Sequence, residues 1–246
     1  MRHPFNLDRE QELDTIARNP PDDDPALIGL IRTYLREAKL APYRSTPYFD
    51  LDLREETSIA RWYDLGASDP ADESVRSAWG ALATATARQY HFLERHGYVF
   101  EQYGHVGAEV DPNQGAAGPY ADSTDMIADV RENRHLWVWA GGEPNELLPQ
   151  EINLAFRAVH DIFGHAAHGL SFGWRGEVNA WAQHWKMFSR PALFALTTET
   201  RAQVDWVFAG PYAREAQAGD YHFPEQKALI LPMQFQVARA LERAYA

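Results

Sequence analysis

The hexapeptide HDIFGH, residues 160–165, carries two histidines five positions apart, with an aspartate and a glycine between them. Imidazoles and carboxylates at close spacing are the ligands of zinc, iron and related divalent ions. On an ideal α-helix, residues five apart diverge by about 140° around the axis, whereas residues four apart diverge by only about 40°. His160 and His165 therefore converge only if the helix opens or bends, and Gly164 makes that easier. Regular helical spacing favours a different grouping, in which Asp161, His165 and His168 share one narrow face. Spacing alone leaves both pairings open, His160 with His165 and His165 with His168. The bland alternative is a helix whose histidines only hydrogen-bond. It sits poorly with three histidines in nine residues on a background of Ile162, Phe163, Ala166 and Ala167, because buried imidazoles need partners.

The next segments add carboxylates. In RGEVNAWAQHWKMF, Glu177, Trp181, His184 and Phe188 recur at intervals of four, three and four and so share a helix face. Glu177 and His184 on this aromatic stripe are either further ligands, or groups that orient ligands from behind and relay protons. A salt-bridged interior pair is an equal alternative. In LTTETRAQVDW, Glu199 and Gln203 lie one turn apart with Arg201 beside them. Thr197 or Thr198 is placed to cap this turn, which would make Glu199 a first-turn acid favoured by the helix dipole. Two histidines and one carboxylate with open positions form the facial site of non-haem Fe(II) oxygenases. Zinc hydrolases use the same ligand types.

HDIFGHA followed by TTETRAQ resembles the iron-binding core of the tetrahydropterin-dependent aromatic amino acid hydroxylases. The resemblance covers residues 155–205. It implies that His160 and His165 are the histidine ligands and Glu199 the carboxylate of a mononuclear Fe(II). It also implies O2 as cosubstrate, a reduced pterin as electron donor and hydroxylation of a small substrate. The block from HDIFGH to TTETR is similar, too, to an uncharacterised group of bacterial and phage proteins.

Composition narrows the chemistry. The 246 residues contain no cysteine, which removes disulfides, thiolate ligands, iron–sulfur clusters and a cysteine nucleophile. A net charge of −12 argues against nucleic acid as a partner. No apolar leader or membrane-length apolar run is visible, so the expectation is a cytoplasmic, soluble protein with a small-molecule substrate and no membrane partner. A homodimer is left open as its assembly. The acidic runs PDDDP and DLREE, at 21–25 and 52–56, read as solvated loop or helix-start charge.

The elements that must position these groups are mostly helical. DPALIGLIRTYLREAKLAP places Leu27, Ile28, Ile31, Tyr34 and Leu35 at helical period, closed by Pro42. ADESVRSAWGALATATARQYHFLERHG is a long helix with a stripe of Val75, Trp79, Leu82, Tyr90 and Leu93, stopped by Gly97. YVFEQYG and HLWVWAG read as two short strands. Between them a glycine-rich loop leads to a short helix capped by Asp122 or Ser123. Helices are expected over 149–168, with Gly169 past the end, over about 175–189 and 191–208, and through MQFQVARALERAY. The reading is a helix-dominated α+β fold: a polar arm over residues 1–24, loosely attached through Asn19-Pro20-Pro21, and one catalytic domain over 25–246. Trp181, Trp185 and Phe188 are the expected pocket walls. Tyr120 and Ser123 in the loop GPYADSTDM, with Arg131 and Arg134, are expected substrate contacts, although a helix cap with its turn explains any single loop residue as well.

Three further readings compete with the mononuclear oxygenase. A di-iron oxidase would draw on Glu177, His184, Glu199, Asp161, His165 and His168. A zinc hydrolase would act without O2. In a non-enzymatic helical domain, the histidines would be structural.

Overall fold

The computed structural model describes residues 6–16, 22–105, 118–142 and 145–237. The Asn19-Pro20-Pro21 step, the start of the glycine-rich loop and residues 238–246 lie outside them. Helix dominates, as expected, with one small two-stranded sheet. In chain order the helices are α1 (Leu7–Ile16), α2 (Pro25–Ala38), α3 (Leu53–Leu65), α4 (Glu73–Arg95) and α5 (Ser123–Asn133). They continue with α6 (Gln150–His160), α7 (Trp174–His184), α8 (Arg190–Thr197), α9 (Gln203–Ala209) and the single turn α10 (Ala213–Ala216). Strands β1 (Val99–Tyr103) and β2 (His135–Trp139) pair in parallel, with Val99 opposite His135 and Tyr103 opposite Trp139. Parallel pairing needs a crossover, and α5 lies within it.

The stripes read from the sequence are the ones buried. Leu27, Ile28, Ile31, Tyr34 and Leu35 of α2 all enter the main core, as do Val75, Trp79, Leu82 and Leu93 of α4, with Tyr90 half-buried against them. Asp24 caps α2 by accepting from the Leu27 amide, and Asp122 caps α5 by accepting from Thr124. Gly97, at φ +82°, ends α4 in the left-handed conformation open to glycine. The core runs between α4 and the helices α6 and α8 that pack on it. A smaller apolar cluster joins Ile59 and Tyr63 of α3 to Trp206 and Val207 of α9 and to Leu229, Leu231 and Phe235.

Several expectations are corrected. The helix read over 149–168 is α-helical only to His160; residues Asp161–Ala166 are π-helical. The helix read over 191–208 is likewise interrupted, with a π-helical segment at Thr198–Ala202. Thr197 and Thr198 do not cap a new helix there, because their hydroxyls donate back to the carbonyls of Leu193 and Phe194 within a continuous one. The last expected helix is a 3₁₀ turn at Met233–Phe235, the rest falling on residues 238–246.

The run at 21–25 is as expected, with Asp22 and Asp23 exposed and Asp24 capping α2, but the run at 52–56 is not simply solvated. Glu55 and Glu56 are buried against Arg201, which donates to both Glu56 oxygens at 2.7–3.1 Å and lies 3.2 Å from Glu55. Asp205 completes this cluster at 3.7 Å, and the guanidinium stacks 4.7 Å from the Trp181 ring centre. One buried cation thus ties α3, α7 and α9 together. The N-terminal arm is not loose over residues 7–16 either. It forms α1, whose Glu10 accepts from Ser123 and from the Phe172 amide. Its Asp14 accepts from the amides of Arg175 and Gly176 and from the Ser171 hydroxyl. Asp14 therefore caps α7 from a different helix, in place of the local cap that Gly173 cannot supply. Among the described residues, no helix is long and apolar enough to cross a membrane.

Removing Arg201 leaves three buried carboxylates without their cation. Arg201→Met is expected to lower unfolding free energy at pH 7 by about 3–5 kcal/mol. The deficit relative to wild type should shrink as pH falls and the carboxyls protonate. Denaturant unfolding at several pH values checks this; a pH-independent deficit below about 1 kcal/mol would contradict the role assigned to Arg201.

Candidate metal centre

The pairing left open by spacing is decided by the backbone. In the Asp161–Ala166 segment the hydrogen bonds run between residues five apart, as from the Ala167 amide to the Ile162 carbonyl at 2.8 Å. Such a π-helical turn brings residues five apart roughly one above the other. His160 and His165 consequently meet, with ring centres 5.1 Å apart. His168 is turned away from them: its Nδ1 bonds Asp23 at 2.7 Å and its ring stacks near Tyr43.

The third member of the group is Glu177. One nitrogen from each of His160 and His165 and one oxygen of Glu177 all lie within 4.8 Å of one another, and all three residues are buried. Glu177 Oε2 is 3.7 Å from His160 Nε2 and 3.5 Å from His165 Nε2. Glu177 arrives on the first turn of α7, which crosses the π-helical segment closely. A Cβ at Gly164 would lie 3.2 Å from the Ala180 carbonyl oxygen and 3.3 Å from His160 Cε1. Gly164 thus serves close approach of α7 rather than only helix opening.

The hydrogen bonds behind the rings fix which nitrogen faces the centre. Gln89 Nε2 donates to the Met187 carbonyl, which turns Gln89 Oε1 toward His184 Nε2 at 2.7 Å. An amide oxygen only accepts, so His184 Nε2 carries the proton and its Nδ1 is a lone pair. His184 Nδ1 lies 3.1 Å from His160 Nδ1, so His160 donates and its own Nε2 is left as a lone pair. His165 Nδ1 donates to the Leu170 carbonyl at 3.1 Å, which again leaves Nε2 as the lone pair. Gly169, at φ +64°, provides the reversal that brings Leu170 back over His165. Two imidazole lone pairs and a carboxylate oxygen therefore point into one small buried space. With neutral rings this arrangement is repulsive unless a proton or a metal cation lies among them. Metal-bound histidines characteristically donate their other N–H to just such partners.

Electrostatics agree. Burial depresses the His160 value, and Glu177 offsets it only in part. Burial works the same way on His165, but the charges of Glu177 and Asp161 outweigh it and hold His165 above its ordinary value. Burial and the neighbouring imidazoles push His184 well below its ordinary value, keeping it neutral. Of the two rings facing Glu177, His165 is thus the one that more readily takes a proton, and a metal bound there would compete with that proton.

Glu199 does not complete the trio. It is buried in the second π-helical segment, accepts from Gln203 Nε2 at 3.1 Å, and burial pushes it up to about 7. Asp161 is likewise pushed up to about 7 by burial, within electrostatic reach of His165 and Glu177. His184 has both ring nitrogens in hydrogen bonds and His168 is turned away with its Nδ1 on Asp23, so neither imidazole joins the trio. Among the described residues the one other such convergence, Glu215, Asp220 and His222, lies at the surface.

The expected wall residues Trp181, Trp185 and Phe188 do line a common cavity of about 960 Å³. It does not open on the trio. The Phe188 ring packs 4.7 Å from the His184 ring, so a side-chain layer separates the two. The expected substrate contacts have partners within the chain. Tyr120 donates to Asp129 and Ser123 bonds Glu10. Arg131 donates to the Ala166 carbonyl, satisfying the end of the π-helical segment. Arg134 ends α5 at φ +53°, and both arginines border a separate cavity of about 220 Å³. Sequence reasoning missed Gln89 and Leu170. Gln89 was findable, since it continues the α4 stripe 75-79-82-86-89-93 as a polar residue on an apolar face.

Glu177→Gln is expected to weaken divalent-metal binding by more than the roughly 10–100-fold typical of losing an outer partner. It should also lower the His165 pKa in the metal-free protein, while Glu199→Gln changes metal affinity far less. Metal titration and histidine NMR check both; equal losses from the two variants would contradict the assignment of Glu177. Compared with family models, curated proteins and solved structures, the chain gives no match.

Proposed function

We propose that this chain is a mononuclear non-haem Fe(II) enzyme that uses O2 to hydroxylate a small metabolite, with His160, His165 and Glu177 holding the iron. The observation that carries the reading is the donor set: two imidazole Nε2 lone pairs and one carboxylate oxygen within 4.8 Å of one another, in a chain without cysteine. Two neutral imidazoles and one carboxylate leave a ferrous ion with net positive charge and open positions. When bound, the iron would supply the activation of O2.

The protein's own groups do the rest. Gln89 and His184 hold His160 in one tautomer, and Leu170 does so for His165. Burial of His160 and His165 keeps bulk water from the centre. The carboxyl of Asp161, pushed up to about 7, is a group that takes or gives a proton beside His165. A reduced pterin is the electron donor that the resemblance to the aromatic amino acid hydroxylases implies, and it belongs in the first assays.

Anaerobic reconstitution is expected to give one iron per chain and, with nitric oxide, a ferrous–nitrosyl signal that His160→Ala abolishes. Metal analysis and electron paramagnetic resonance provide the check. Tight zinc retention with no nitrosyl signal would replace this reading with zinc-dependent hydrolysis.

A further inference from the structure

The 960 Å³ cavity is built for a ligand of definite chemistry. Trp181, Trp185, Phe188 and Leu193 form apolar walls, and the volume lies in the range of small-molecule pockets. Among the described residues its charged lining is Arg44, Lys186 and Arg190, with no aspartate or glutamate, in a chain whose net charge is −12. Arg44 and Arg190 are exposed and form no ion pair among the described residues. Lys186 donates to Gln183 Oε1 and lies over the Tyr43 ring at 5.1 Å. Burial lowers its pKa to about 7, so an anion in the cavity would restore its charge. Among the described residues, Trp185 Nε1 is a buried donor without a hydrogen-bond partner.

We infer that this cavity binds an organic carboxylate with a flat apolar body, its ring against Trp181, Trp185 and Phe188 and its carboxylate at Arg44 and Arg190. Guanidinium groups suit this role because their paired N–H donors match carboxylate geometry. The aromatic walls take the body by area burial and stacking. None of the three residues of the metal centre lines the cavity, so the inference goes beyond the proposed iron site and does not depend on it.

The test is isothermal titration of the full chain with 1-naphthaleneacetate, with 2-(1-naphthyl)ethanol and 2-(1-naphthyl)ethylamine as neutral and cationic counterparts. The carboxylate is expected to bind with Kd below about 100 μM, the alcohol at least about tenfold more weakly, and the amine more weakly still. Arg44→Glu and Arg190→Glu, at exposed positions, should each weaken the carboxylate about tenfold or more with the alcohol and the melting temperature unchanged. Equal affinity for carboxylate and alcohol, indifference to both charge reversals, or no carboxylate binding would overturn the inference.

Discussion

Residues five apart on an α-helix face different ways, and most of what this protein does with HDIFGH depends on escaping that constraint. The π-helical turn at Asp161–Ala166 is the escape. It superposes His160 and His165, and it leaves carbonyls at its end that other parts of the chain must satisfy. Arg131 takes the Ala166 carbonyl and the Asp24 amide takes that of Ala167. The irregular turn is thus held by α5 and by the entry to α2. π-Helical turns are rare and concentrate at functional sites, and the second one here carries Glu199.

Around this turn, buried polar groups are arranged in a chain rather than in isolated pairs. Met187, Gln89 and His184 determine the tautomer of His160 from one side, and the turn through Gly169 determines that of His165 from the other. The carboxylate arrives on α7, whose first turn is capped by Asp14 of α1 and whose Trp181 is packed against Arg201. A half-satisfied polar network in a core is costly. The completeness of this one behind the rings, set against the convergence of lone pairs in front of them, is what distinguishes a cation site from an ordinary histidine cluster.

The sequence made α2, α4, α5, the helices from α6 to α9, the two strands and the candidacy of His160, His165, Glu177 and His184 legible, because these rest on local period and residue type, whereas α1 and α3 went unread. Trp181, Trp185 and Phe188 were legible as walls for the same reason, since they lie on one aromatic stretch. The choice of carboxylate was not legible. Glu177 and Glu199 both sit on helices with suitable spacing, and only the close crossing of α7 at Gly164 selects the first. Gln89, Asp14 and the pair Glu55 and Glu56 act through partners more than 90 residues away. Spacing along the chain carries no trace of such contacts. A run of acids such as DLREE looks solvated until a buried Arg201 is found beside it.

When neutral, His160 and His165 present Nε2 lone pairs to Glu177 because their Nδ1 protons are held from behind. Long-range proton–nitrogen NMR of the metal-free protein at alkaline pH reads the tautomers directly. Nδ1–H is expected for His160 and His165, and Nε2–H for His184. Nε2–H on His160, or Nδ1–H on His184, would contradict it.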